Sequence, residues 1–362
     1  MVKMAKNLET KTTQTVNAVV QGNESLKASL PILGKNNFSD FANPMVKYEP
    51  LMNEFLGALV NKIGMTIVRS KILENPLRLL KKGDKPLGAD IEEIFVAMAE
   101  GREYSSDGDG LLKNTPPEVR ALYHRLNVRE VYEVSWLYEE IKEAFTSIEK
   151  LGELIETFIN SLLAGAYDKE FIYTKQLIGE AVQKGLFVTQ EVVEPTDAQT
   201  SKDFVKAVKK AAKGMTFNSK KYNKSQKTEG VVDPVKTFTP YGQQVLIINA
   251  DASVEVDVET FATAFNLSKA EFNAIDYIVE VDDFATLIGK DGEEELVGDD
   301  IIAVLADRAT FQIYDDSFDM PPLFYNPENR SRKQYLHVWQ TYSISTFSNA
   351  LVFTKKETVE GE

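Results

Sequence analysis

Cysteine is absent from the 362 residues of this chain. That excludes disulfides, thiolate nucleophiles and cysteine-ligated metal, so stability must come from packing, with oligomerisation as a further available source. Histidine is nearly absent: His124 and His337 are the only two, far apart in sequence, and form no cluster for acid–base or zinc chemistry. Basic charge is in short supply, with 41 Lys and Arg against 55 Asp and Glu and a net charge of −14. A protein whose main work is gripping phosphates needs the opposite balance. Long apolar runs are missing too. Met1–Lys11 has no apolar core of a secretory signal. The uncharged stretch Gln334–Thr354 is 21 residues long but carries Gln334, Gln340, Thr341, Ser343, Ser345 and Asn349, which would be costly in lipid. The signatures of serine hydrolases, zinc proteases, dinucleotide loops, Walker loops and kinases do not occur, and acid pairs such as Glu92-Glu93 and Asp282-Asp283 are ordinary surface features. A catalytic reading has no anchor, and no cofactor or metal is expected.

What is present is a substantial core, with 43% hydrophobic residues. From Leu151, apolar residues fall at 151, 154, 155, 158, 159, 162, 163 and 166, the spacing of one helix burying a wide stripe. Leu151, Leu154, Phe158 and Leu162 are the expected core of that stripe. Gly185 after Gln183-Lys184 supplies the stop. A helix from Ile148 to this glycine would be a spine of roughly 54 Å at 1.5 Å per residue. The register change at Gly165–Asp168 predicts a kink or interruption there.

Residues 1–43, rich in Thr, Lys, Asn and Gln, predict a mobile or extended arm unless a neighbour holds the segment. Asn75-Pro76 opens a turn-rich segment, and Lys81-Lys82-Gly83-Asp84-Lys85-Pro86-Leu87-Gly88 reads as a hinge. Strands are expected over Ile91–Tyr104 and Val119–Tyr138, joined by the polar loop Ser105–Pro117. Leu122, Leu126, Val128, Tyr132, Val134 and Trp136 share one phase of the second strand; Arg125, Asn127, Arg129 and Glu133 share the other. Twenty extended residues would reach on the order of 65 Å, overhanging any compact domain and requiring a second surface to lie on. His124 in this strand is expected to be a satisfied structural imidazole. Val193-Glu194-Pro195-Thr196 marks a boundary, followed by a basic helix over Ser201–Lys213, a buried strand at Val245–Ile248, a helix at Val258–Phe265 and strands at Asp276–Val281 and Ile301–Tyr314. Residues 202–227 hold nine lysines against Asp203 alone, while residues 251–300 hold fifteen acids against Lys269 and Lys290.

Several blocks resemble, in order, the major capsid (head) proteins of phi29-like short-tailed phages. They are Asn75-Pro76-Leu77, Lys81-Lys82-Gly83, Pro86-Leu87-Gly88, Ile91-Glu92-Glu93-Ile94, Gly185-Leu186-Phe187 and Val256-Asp257-Val258. The most specific is Tyr335, His337-Val338-Trp339-Gln340-Thr341, Ser343, Ser345, Phe347 and Asn349-Ala350. The resemblance covers Met45 to Phe353. It implies the α+β Hong Kong 97-like tailed-phage capsid fold. Its parts would be an N-terminal arm at 1–43, a peripheral domain at 44–85, 139–195 and 325–362 carrying the long spine helix, an extended-loop hairpin at 86–138, and an axial domain at 196–324. Within the last block, His337 and Trp339 are expected in the core.

The implied protein is non-enzymatic. It self-assembles, as pentamers and hexamers, into an icosahedral head enclosing double-stranded DNA without sequence-specific contact. Scaffolding and portal proteins are the expected partners, with no membrane. Assembly would occur in the bacterial cytoplasm and the product would be the virion shell. Expected subunit contacts are Lys82, Gly83, Pro86 and Gly88 at the hinge and Arg125 and Arg129 on the hairpin. Lys206, Lys209, Lys210 and Lys213 on the basic helix would join them, with Glu293, Glu294 and Glu295 as acidic counterparts. Two alternatives remain at this point: an encapsulin-like cellular compartment, and a nucleic-acid-binding protein using the 202–227 lysines.

Overall fold

The computed structural model describes residues 2–34, 37–66, 75–85, 90–103, 114–228, 231–254, 278–284, 286–288, 294–296, 298, 300–321 and 324–356. These residues fall into two units, one built from 1–75, 128–170 and 317–339, the other from 76–127, 171–316 and 340–362.

In the first unit the N-terminal segment is helical, not an extended arm: α1 (Val2–Gly22), α2 (Glu24–Ser29), α3 (Phe38–Lys47) and α4 (Glu49–Thr66) follow one another. Polar composition hid a sparse but regular stripe. Val16, Val19 and Val20 occupy one helical face and are buried together with Leu26, Leu30 and Leu33. Asn23 caps α2 by accepting from the backbone N–H groups of Ser25 and Leu26. Asn17 brackets the backbone of Leu33, donating to its carbonyl at 2.8 Å and accepting from its N–H at 2.7 Å. Phe41 lies edge-on to Phe55 at 5.6 Å, and Phe55 lies edge-on to Phe145 at 5.9 Å.

The chain then forms β1 (Lys81–Asp84), β2 (Ile91–Val96), β3 (Val119–His124), β4 (Val128–Trp136), α5 (Tyr138–Ala144) and α6 (Ile148–Gln183). The expected 20-residue strand is two strands. Apolar alternation runs straight through Arg125–Asn127 in sequence, but β3 pairs with β2 whereas β4 pairs with a later strand. The spine α6 is one uninterrupted helix of 36 residues through Gly165–Asp168, with Leu151, Leu162, Leu163, Ala166 and Tyr167 buried and Leu154 packed against that core. Phe158 lies within α6, but its side chain is outside the described set. Gly185 closes the helix with a φ of 66°; Leu186 N–H reaches Ala181 O at 2.9 Å.

The remaining elements are β5 (Val188–Val192), α7 (Ala198–Met215), β6 (Gln226–Thr228), β7 (Val231–Val232), β8 (Gln244–Asn249), α8 (Ala250–Val254), β9 (Ile278–Val281), β10 (Thr286–Ile288), β11 (Glu294–Leu296), β12 (Ile301–Asp307), β13 (Phe311–Asp319), β14 (Phe324–Asn326), β15 (Ser331–Ile344) and β16 (Ala350–Lys355). The expected helix at 258–265 lies outside the described residues. Boundaries between the units fall at 75/76, 127/128, 170/171 in α6, 316/317 in β13 and 339/340 in β15.

The second unit is organised on a five-stranded sheet of order β5-β16-β12-β8-β9. Its outer pairings, β5–β16 and β8–β9, are parallel; β12 runs antiparallel to both of its neighbours. Phe204, Val205, Val208, Ala211, Ala212 and Met215 of α7 pack with Leu246, Ile248, Leu305 and Phe353 of the sheet.

In β15 burial alternates. Leu336 and Val338 are core, so His337 and Trp339, expected inside, take the other phase and are half-buried. Arg129 covers the Trp339 ring at 5.1 Å. Arg332 is enclosed in the first unit, donating to Asn53 at 2.7 Å and Glu49 at 3.1 Å between the rings of Tyr138 and Tyr325.

Replacing Phe41 by alanine is predicted to cost about 3–5 kcal/mol of subunit stability, the usual loss for a fully buried phenylalanine. Urea unfolding of the unassembled subunit measures it. A loss below about 1 kcal/mol would mean that the N-terminal helices contribute no core.

Candidate functional site

No cluster of potential metal ligands and no helix long and apolar enough to cross a membrane occurs among the described residues. The feature that stands out is the β2–β3 hairpin, whose two faces are chemically opposite. Six cross-strand pairs run from Ile91↔His124 to Val96↔Val119.

The inner face is pinned to the rest of its own unit at successive levels. At the entry foot, Lys85 is buried and its ammonium meets Asp316 at 2.5 Å and Thr341 at 3.1 Å; Lys81 pairs with Asp315 at 2.8 Å. A bulge between Lys81 and Gly83 sets this register against β13. Gly83 takes a φ of 109°, a conformation that costs glycine little. At the exit foot, Asn127 imitates a strand neighbour, accepting from Tyr342 N–H at 2.8 Å and donating to Tyr342 O at 2.9 Å.

Between the feet lies a cross-brace. His124, 1% exposed, contacts Ser343 Oγ through Nδ1 at 2.8 Å and Glu93 through Nε2 at 3.1 Å; Ser345 donates to Glu93 at 2.9 Å. In the neutral imidazole, Nε2–H donates to the carboxylate and Nδ1 accepts the Ser343 hydroxyl. Serine, histidine and carboxylate are also the members of a nucleophile relay. Here both ring nitrogens are already committed and the ring is sealed from solvent, so the trio braces the fold. Phe95 packs on Phe347 at 5.5 Å beside it. Farther out, Arg120 is clamped by the side chain of Asp233 at 2.5 Å, the carbonyl of Asp233 at 2.6 Å and Glu118 at 2.7 Å.

Burial pushes the Glu93 carboxyl up, but the hydrogen bonds from His124 and Ser345 and the nearby positive charge outweigh it, and its pKa lies below the ordinary value. Asp307 goes the other way. Desolvation dominates there, and the bonds from Ala309 N–H and the Thr239 hydroxyl do not offset it.

The outer face is largely apolar and open: Ile94, Val96, Val119 and Tyr123 are each more than half exposed, alongside Ala121, and the one acid on it, Glu92, accepts the Tyr123 hydroxyl at 2.9 Å.

Of the residues singled out in the sequence, Lys82 and Gly83 lie in β1, and the Lys82 ammonium stands 5.9 Å from the centre of the Tyr314 ring. Pro86, Gly88, Glu293 and most of the 105–117 loop lie outside the described residues. Arg125 makes an open ion pair with Asp90 at 3.0 Å, worth little at such exposure. Lys206, Lys209, Lys210 and Lys213 project from the exposed face of α7. Glu294 and Glu295 lie in β11, which pairs with β10. Sequence reading missed Glu93, Arg120, Asp233, Ser343 and Ser345 as anchors. The lone His124 among apolar neighbours was the one available signal.

Comparison with known proteins gives a consistent result. The family described as Phi29-like phage major capsid protein matches residues 16–354. The chain is 30% identical to the major capsid protein of Bacillus phage GA-1 over 353 residues, 96% of this chain and 70% of that protein. It is also 30% identical to the major capsid protein of Bacillus phage PZA, over 91% of this chain and 70% of that one. Among solved structures, the capsid of Staphylococcus phage Andhra superimposes with a TM-score of 0.62 at 15% identity, covering 81% of this chain and 87% of the other. The fold is thus that of tailed-phage capsid proteins, the Hong Kong 97-like type.

A pH dependence follows from Glu93. Its folded pKa is depressed, so its contribution is fully present above the unfolded value of about 4.3 and is lost as pH falls through the lower folded value. Glu93→Gln should be less stable than the native chain near neutral pH, and the gap should close on acidification below about pH 4. Urea midpoints across that range check it; a gap that widens on acidification would contradict the assigned direction.

Proposed function

Because this chain belongs to the Phi29-like phage major capsid protein family, we propose that the outer face of its β2–β3 hairpin is the surface by which one subunit of the head shell grips the next. The chain is a structural protein of the virion, the subunit of the icosahedral phage head, and not an enzyme. Subunits of one sequence close such a shell as pentamers and hexamers, assembled in the bacterial host with scaffolding and portal proteins. They enclose double-stranded DNA without reading its sequence. The net charge of −14 suits a container, since a strongly basic lining would hold the duplex against movement.

The observation that carries the hairpin assignment is the asymmetry of its faces. A two-stranded ribbon with Ile94, Val96, Val119 and Tyr123 open to water is stable here because its inner face is anchored. Among the described residues the outer apolar face stays more than half open to solvent and so contributes little burial within the subunit. Contiguous exposed apolar surface rimmed by polar groups is the mark of a protein contact, and in a shell every subunit has neighbours to cover it.

The test is a double substitution, Ile94→Asp with Val119→Asp. The subunit should remain folded by circular dichroism and keep its urea midpoint, while electron microscopy should find few or no closed shells. Shells of native number and heat resistance would overturn the assignment.

A further inference from the structure

The geometry points to a second contact between copies, resting on the shell reading above: we propose that the lysine row of α7 in one subunit docks on the acidic β9 edge of the next, setting the direction of the ring. Lys202, Lys206, Lys209 and Lys213 recur at spacings that place them within about a 60° arc and along about 16 Å of helix. All four are exposed, with Lys210 beside them, while the opposite face of α7 is buried on the sheet. None of the five has an ion pair among the described residues, and Asp203 is the only acid within the row's span. A row of one sign repels itself, which is a peculiar device in a chain of net charge −14 unless something anionic covers it.

The same unit supplies a counterpart. Among the described residues β9 is one of the two edge strands of the sheet, and Glu280 on it, Asp282 just beyond it and Asp251 on the neighbouring α8 are exposed. Asp282 and Asp283 already hold Lys175, at 2.7 and 3.1 Å, which fixes the turn and keeps Asp282 below its ordinary pKa: burial opposes the charge, and Lys175 more than compensates. Asp251 and Glu280 have no basic partner among the described residues, Glu280 receiving only the Ser253 hydroxyl. The two surfaces belong to different elements, a helix face and a sheet edge. Met once, with each copy offering its helix face to one neighbour and its sheet edge to another, they make a head-to-tail contact, the heterologous kind that builds rings. A two-fold pair would have to engage both surfaces of each copy at once. Charge complementarity of this kind contributes modest affinity and strong orientation, and ring closure repeats it at every interface.

The experiment supplies variants in place of the native chain during infection and counts shells and packaged DNA. Changing Lys206, Lys209, Lys210 and Lys213 to Glu should lower shell yield on the order of tenfold, and Asp251→Lys with Glu280→Lys should do the same. The combination of both sets should restore yield to within about threefold of native, because opposite charges again face each other. Circular dichroism and urea midpoints of the unassembled variants confirm that each is folded. A combination no better than either parent would overturn the proposal. So would a lysine variant giving normal numbers of shells, whether with native DNA content or with altered content; the latter would place the row against DNA phosphates. Absence of shells from the native chain would overturn the shell reading itself, and this contact with it.

Discussion

A two-stranded antiparallel ribbon does not hold its own register in water, and the β2–β3 hairpin is held by its seat. A slip of one residue would exchange its faces, turning Ile94 and Val96 inward and exposing Glu93 and Phe95. The anchors are therefore directional: an ammonium on a carboxylate at one foot, an asparagine amide bracketing a peptide at the other, an imidazole between a serine and a glutamate in the middle. Apolar contacts alone would tolerate a slip that these bonds forbid. The open outer face, and with it the capacity to meet another subunit, depends on that register.

The two units use buried charge in the same way. Lys85 with Asp316, and Arg332 with Glu49 and Asn53, are taken out of water at a desolvation cost that the ion pair does little more than offset. Their effect is selectivity. Each would be left as an uncompensated charge in any alternative packing, which penalises the alternatives more than it favours the native arrangement. The block that most specifically resembles the phage head family, from Tyr335 to Ala350, contains the residues that receive the hairpin: Thr341, Ser343, Ser345 and Phe347.

The spine was legible because its apolar stripe recurs over residues 151–166 and it ends on a glycine whose positive φ is needed, although the register change at 165–168 suggested a kink that the helix does not have. The basic helix was legible for the same reason of periodicity, and the buried strand at Val245–Ile248 as a short unbroken run of branched apolar residues. What failed has a common cause, which is that periodicity does not identify a partner. The alternation through Arg125–Asn127 is continuous in sequence, yet His124 ends one ladder and Val128 begins another. Val16, Val19 and Val20 looked too sparse to order a threonine-rich segment, because the surface that buries them is supplied by residues such as Leu51, Phe55 and Leu59. Of the site, the hairpin and its foot at Lys81–Lys85 could be read. The brace at Glu93 and the clamp at Asp233 could not, since an acid joined to a distant base leaves no mark in either local sequence.

The central sheet of the second unit has a consequence for biosynthesis. Strand β16 lies between β5 and β12, so Leu351 pairs with Val188 on one side and with Leu305 on the other. Until residues 350–355 have left the ribosome, β5 has no neighbour in the sheet and β12 has one open edge. Parallel pairing over such a separation is slow, because loop closure precedes any reward. A nascent chain therefore holds this sheet incomplete until residues 350–355 have left the ribosome, so the segment that joins β5 to β12 is among the last of the sheet to arrive.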